Sequence, residues 1–315
     1  MPNRSRRLGR RVVTFLPLAV LIVVVPIALF GGDEDDLESV ATSTTAAPTE
    51  TTAIATTSTN PAPSTSLPDG AEAAVVVSVT DGDTIRVDHA GGSDDPLRLV
   101  GINTPESGEC FGLESTVALE SLLSGQTVVM VSDVSDRDQF GRLLRYVYLT
   151  DSTFVNEVMV RQGYALAREY PPDTGQADLL ASAQQQAEAE RLGLWSPDAC
   201  GPPADANLVI THVEADAPGD DHDNLNGEWV EITNQGSSST DLTGWILKDE
   251  SATHRYRFPD QFTISEDSVV SVYTGCGSDA TTTLYWCSPG AVWNNPGDTA
   301  FLLDPSGNIH DRFGW

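Results

Sequence analysis

"AVVVSVTDGDTIRVDH", residues 74–89, is the stretch whose reading decides the fold. Its β-branched runs flank Asp81-Gly82-Asp83, a pattern that reads as two strands joined by a tight turn. Working outward, "LRLVGI" (97–102) reads as a third strand, and "LESTVALESLL" (113–123) places Leu119, Leu122 and Leu123 on one helical face. "TVVMVSDV" (127–134) and "RLLRYVYL" (142–149) read as the fourth and fifth strands, joined by "SDRDQFG". Two helical stretches follow, "FVNEVMVRQGYAL" (154–166) and "ADLLASAQQQAEAERLGLW" (177–195). Five short strands with a helix between the third and fourth is the order of an OB-fold β-barrel with helices, a scaffold often used for oligonucleotides. This first folded domain spans residues 71–200.

The 315-residue chain carries a net charge of −29 and a single lysine, Lys248. Residues 71–200 hold 8 basic and 21 acidic groups, and residues 201–315 hold 4 and 18. Binding nucleic acid by bulk electrostatics needs many phosphate-neutralising cations, so that class is disfavoured. Any work on phosphates rests on a few placed arginines.

The N-terminus places five arginines before an apolar run of 19 residues, Val12 to Phe30, with acidic residues after it. A run near the roughly 20 residues needed to span a bilayer, preceded by positive charge, favours an uncleaved signal anchor over a removed signal peptide. Both readings of residues 1–32 export the rest of the chain, to the outer face of the membrane or beyond. Residues 33–70 contain the tract "SVATSTTAAPTETTAIATTSTNPAPSTSLP" (39–68), which cannot bury a core and is expected to be a disordered stalk.

"DGDTIRV", "LRLVGINTPES", "DQFGRLLRYVY", "VNEVMVRQGYA" and "AEAERLGLWS" occur in the order and spacing of the staphylococcal nuclease (thermonuclease-like) family, which the chain resembles over about 130 residues. The resemblance implies hydrolysis of DNA or RNA phosphodiesters with one Ca²⁺ and two arginines. It implies Asp83 as a metal carboxylate, Thr104 as a metal ligand through its carbonyl, and Arg98 and Arg142 as the two arginines. Glu106 takes the place of the Glu that activates or orients water. Tyr170, in "REYPPD", lies near where the family contacts substrate with tyrosines. The family's second metal carboxylate falls on Asn103, which is where this chain departs from the pattern.

Each role also has a chemical reason. A planar guanidinium stabilises charge developing on phosphoryl oxygens better than an ammonium does. A carboxylate beside a metal can serve a water, and Ca²⁺ takes hard oxygen ligands. An Asn amide oxygen is still such a ligand; what is lost is one negative charge. A living site with weaker metal affinity is the expectation, tolerable outside a cell, where modules bind Ca²⁺ at roughly 10⁻⁴–10⁻³ M. Simpler readings stand beside these. Asp81 serves as a turn former, Asp138 shapes the turn before Arg142, and Arg145 and Tyr148 are surface and core residues of a strand.

Residues 204–315 hold seven short β-rich segments separated by turn residues, which argues for an all-β immunoglobulin-like sandwich. "NGEWVEITN", "DLTGWILKDES", "HRYRFPD" and "AVWNNPGDTAFLLD" resemble the lamin tail domain over about 110 residues. Trp229, Trp245, Trp286 and Trp293 read as core, and Asp220, Asp221 and Asp223 as a solvated acidic loop. A targeting or binding role toward an unknown surface or wall partner is the most that this resemblance implies. Four cysteines allow three pairings, and the sequence alone does not choose. The domain boundary pairs Cys110 with Cys200 and Cys276 with Cys287.

A Ca²⁺-dependent nuclease therefore leads. The alternatives are a catalytically weak nuclease-fold binding module and a cell-surface adhesion protein led by the sandwich. Both leave the intact trio Arg98, Glu106 and Arg142 unexplained.

Overall fold

The computed structural model describes residues 70–89, 92–251 and 253–315. The expected anchor or signal peptide, and all of the expected stalk but Gly70, lie outside the described residues.

Five strands close the barrel: β1 (Glu72–Val79), β2 (Thr84–His89), β3 (Ser93–Leu99), β5 (Thr127–Val131) and β6 (Leu143–Leu149). Their order is β1-β2-β3-β6-β5, antiparallel throughout except for the parallel β3–β6 pair. Alternation along the pleat turns Ala74, Val76, Ile85 and Val87 inward and leaves Val75 and Val77 outside. Helix α1 (Gly112–Leu123) buries Leu119 and Leu123, with Leu122 half-buried against the same core. Helix α2 (Val155–Arg161) is tied to the barrel by fully buried Asn156. Its Oδ1 accepts from the Val147 amide at 2.9 Å, and its Nδ2 donates to the Val100 carbonyl at 2.8 Å.

Two elements end sooner than periodicity suggests. "LRLVGI" is not one strand: β3 stops at Leu99, and β4 (Ile102–Asn103) departs to pair with β7 (Leu166–Ala167). The break is Gly101, at φ +78, where a Cβ would meet Leu180 Cδ1 at 2.5 Å. Only glycine tolerates both demands. The helix read over 154–166 ends at Arg161, because Gly163 takes φ +74 beneath the Leu192 carbonyl. Helix α3 (Ala177–Glu190) likewise stops before a short 3₁₀ turn, Gly193–Trp195.

The C-terminal half is two four-stranded sheets face to face. One runs β12 (Arg255–Arg257), β11 (Ile246–Lys248), β16 (Thr299–Leu303), β17 (Ile309–Gly314). The other runs β15 (Thr283–Tyr285), β14 (Val269–Tyr273), β9 (Trp229–Asn234), β8 (Leu208–Glu214). A small pair, β10 (Thr240–Asp241) with β13 (Thr263–Ile264), completes it. Two of the seven expected β segments thus hold two strands each, and β13 was not among them. Trp245 and Trp293 are buried between the sheets, with Trp286 half-buried against the same core.

The halves meet through a third, small apolar cluster. Ile246, Phe301 and Leu303, on the outer face of the β11–β16 pair, are buried against Leu166 and Trp195 from the barrel half. Both disulfides form as paired above, Cys110–Cys200 and Cys276–Cys287. The first lies at the junction, where the Cys200 amide donates to Asn308 Oδ1 at 2.8 Å.

Candidate active site

The turn from β1 to β2 presents Asp83, and the end of β3 presents Arg98 across the ladder from Thr84. Both are nearly buried, at 7 % and 8 % exposure, so neither charge is left to water. Asp83 Oδ2 receives Arg98 Nη2 at 2.9 Å, the Thr104 amide at 3.0 Å and the Thr104 hydroxyl at 3.0 Å. The 103–106 turn is thereby pinned to the β1–β2 turn. Arg98 also donates to the Leu99 carbonyl at 2.7 Å and to Asn103 Oδ1 at 3.2 Å.

Arg142 enters from the turn before β6. Asp138 accepts the Phe140 and Arg142 amides through Oδ1, both at 2.9 Å, and holds Arg142 Nε through Oδ2 at 2.7 Å. Burial works to raise the Asp138 carboxyl, but its bonds to Arg142 outweigh that and hold it below the usual range. Asp138 therefore shapes the turn, as expected, and also aims the guanidinium. Arg145 departs from the surface reading: it is 6 % exposed, paired with Asp136 at 2.6 Å. That bond holds the Asp136 carboxyl low.

Asp83, Arg98, Asn103, Thr104, Glu106, Arg142 and Tyr170 all line one polar cavity of about 260 Å³. Asp81 lines it too, while accepting the Asp83 amide at 3.2 Å as a turn former does. Burial, then the neighbouring Asp83, pushes the Asp81 carboxyl up. The Glu106 carboxyl is pushed up by burial and then by Asp83, Asp81 and Glu109.

Three further groups at the cavity escaped the sequence reading. Arg168 lies 4.9 Å above the Tyr170 ring and pairs with Glu250 at 3.1 Å. Ser251 lines the cavity from the sandwich half. The Glu250 carbonyl accepts from Asn103 Nδ2 at 3.2 Å and from Arg168 Nη1 at 2.8 Å. Arg168 had a signal, since it stands two residues before Tyr170 in "REYPPD". Glu250 and Ser251 had none, because they come from another half of the chain.

Among the described residues no three His, Cys, Asp or Glu side chains converge to hold a metal by themselves. The donor chemistry fits a hard, largely hydrated cation. Asp81 and Asp83 supply crowded carboxylates, Thr104 a carbonyl, and Asn103 an amide oxygen with one lone pair not used by Arg98.

The family model for the "Staphylococcal nuclease homologue" domain matches residues 96–197, and that for the "Lamin Tail Domain" matches 202–315. The thermonuclease of Staphylococcus intermedius is 34% identical over 130 residues, covering 39% of this chain and 76% of the relative. That of Staphylococcus hyicus is 34% identical over 127 residues, covering 38% and 74%. An uncharacterized endonuclease of Escherichia coli O157:H7 is 39% identical over 122 residues, covering 38% and 75%. With the closed five-strand barrel carrying the "DGDT", "NTPE" and "DQFGR" turns to one cavity, the chain belongs to the staphylococcal nuclease family, its nuclease domain followed by a lamin tail domain.

Proposed function

We propose that this protein is an exported, Ca²⁺-dependent nuclease that hydrolyses phosphodiester bonds of DNA or RNA, held at the outer face of the membrane by its N-terminal segment or released. The observation that carries the reading is the convergence of both arginines, Glu106 and Asp83 on one cavity. Arg98 and Arg142 bind the scissile phosphate and stabilise the charge that develops on its oxygens. Arg98 is fixed by Asp83 and Arg142 by Asp138, so little reorganisation is needed at the moment of reaction. Glu106 orients the attacking water and takes its proton. Tyr170, with Arg168 over its ring, offers an aromatic face to a base or sugar beside the cleaved bond. Asp83, the Thr104 carbonyl and Asn103 would hold Ca²⁺, which when bound adds positive charge at the phosphate. Two disulfides with no free cysteine among the described residues support an oxidising compartment.

The test is degradation of plasmid and RNA with Ca²⁺ and with a chelator, by wild type and by Arg98→Ala, Glu106→Ala and Arg142→Ala. Turnover should fall by orders of magnitude in each variant while the fold survives, and with the chelator in wild type. Near-normal cleavage by any two variants would sink the assignment.

A further inference from the structure

The lamin tail domain carries only four basic residues, Lys248, Arg255, Arg257 and Arg312, against 18 acidic ones. All four stand at the junction with the nuclease domain or at the cleft beside it. Arg312 pairs with Glu188 of α3 at 2.6 Å and lies over Trp195. The other three share one sheet face for a simple reason. With a period of two, Leu247 and Tyr256 point into the sandwich core, so Lys248, Arg255 and Arg257 point outward. The register sets Lys248 directly opposite Arg255. Like charges in that position destabilise a sheet, and Glu109 of the nuclease domain, paired with Arg255, offsets only part of this.

These three side chains form one wall of a cleft of about 340 Å³ whose other wall is the nuclease loop from Asn103 to Cys110. Asn103, Thr104, Pro105 and Glu106 line both this cleft and the catalytic cavity, so the two spaces share that wall. The acids facing the cleft are mostly engaged. Glu109 pairs with Arg255, Glu250 with Arg168, and Asp304 accepts the Ser306 and Asn308 amides. Lys248 is half-buried over the Phe301 ring, and among the described residues no hydrogen bond or ion pair holds its ammonium. Arg257 is exposed and, among the described residues, equally without a hydrogen-bond or ion-pair partner for its guanidinium. Lys248 and Arg257 thus face the cleft without an anionic partner at contact distance among the described residues, with Glu106 and Asp304 the acids not engaged by a cation.

We infer that the cleft between the domains is a second phosphate subsite, in which Lys248 and Arg257 of the lamin tail domain hold the backbone of the polynucleotide beyond the bond cleaved at Arg98, Glu106 and Arg142. The inference rests on the nuclease reading. It gives the second domain a part in substrate binding, through two cations that face the same loop as the catalytic cavity.

The experiment uses the intact chain carrying Glu106→Gln, with and without Lys248→Gln and Arg257→Gln, and an end-labelled single-stranded oligonucleotide followed by anisotropy across a salt series. Each substitution should weaken binding several-fold. The pair together should flatten the slope of log affinity against log salt by about 1.4, since each phosphate contact on a single strand contributes roughly 0.7. In the wild-type background, kcat and KM for a nitrophenyl phosphodiester of one nucleoside, too short to reach the cleft, should not change. Unchanged oligonucleotide affinity and slope would overturn the inference, as would an equal loss on the small diester. If the chain without Glu106→Gln cleaves neither substrate, the nuclease reading fails, and the binding series still judges the subsite.

Discussion

The two ends of the Asn103 side chain face different domains, Oδ1 toward Arg98 and Nδ2 toward the Glu250 carbonyl. A carboxylate has no N–H to give, so the aspartate of the family pattern would set oxygen against oxygen at the junction. Two opposite effects follow for Asn103→Asp. The Ca²⁺ needed for half-maximal cleavage should fall, because one negative charge returns beside Asp83. Thermal stability without metal should drop by about 1 kcal/mol, from the lost bond across the junction. Asn103→Ala should raise the Ca²⁺ requirement without abolishing activity at saturating metal. Calcium titrations of cleavage and metal-free melts of the three proteins check this, and three superimposable titrations would remove Asn103 from the metal. Much of the site was legible at this scale because its pieces are local turns. Asp81-Gly82-Asp83 and Asp138 to Arg142 shape themselves by contacts within four residues, whereas Thr104 is held by Asp83, 21 residues away. Glu250 and Ser251 were not legible, since nothing near position 250 refers to position 103. Arg145 reads as solvent-facing because a charge on a strand looks exposed until its partners, the Asp136 carboxylate and the Asp136 and Leu144 carbonyls, are seen.

At the scale of elements, strand periodicity located the barrel but overran its ends. Alternation in 74–87 and the Leu119, Leu123 spacing repeat over several residues and so survive local accidents. The ends of β3 and α2 depend instead on the sign of φ at Gly101 and Gly163, and on what passes close to those glycines, which hydrophobic pattern does not encode. The start of β9 carries a comparable hidden feature. Glu228 is fully buried, and its Oε2 accepts the Val292 amide at 3.1 Å. Burial pushes its carboxyl up, and hydrogen bonding from Val292, Thr274 and Trp293 only partly opposes this. The folded state therefore holds this proton more tightly than the unfolded chain does. Its contribution to stability is lost as pH rises from the unfolded value, about 4.3, through the raised folded value. Glu228→Gln should melt higher than wild type at neutral pH, and the gap should close on acidification toward about pH 4. Melts of both proteins across that range test it; a constant gap, or one that widens in acid, would contradict the sign.

For the whole molecule, the disulfide at the junction spans far more chain than the one inside the sandwich. Cys110 and Cys200 are 90 residues apart, and Cys276 and Cys287 are 11 apart. In the chain-entropy account the first is worth about 4–5 kcal/mol and the second roughly 3 kcal/mol. Replacing both cysteines of a pair by alanine should therefore lower the denaturation midpoint more for Cys110/Cys200 than for Cys276/Cys287. Cleavage should suffer only in the first case, since Cys110 lies four residues beyond Glu106; the reverse order would point to local packing rather than chain closure. The outer face of the β11–β16 pair has a further consequence. In a free-standing sandwich such a face drifts freely in evolution, but here Ile246, Phe301 and Leu303 are buried against Leu166 and Trp195 of the neighbouring domain. Gene fusion joining this barrel to a lamin tail domain from elsewhere would import a face with no history of fitting it. The two halves are therefore expected to behave as a matched pair rather than as interchangeable modules, with substitutions on either side of the seam co-varying across lineages.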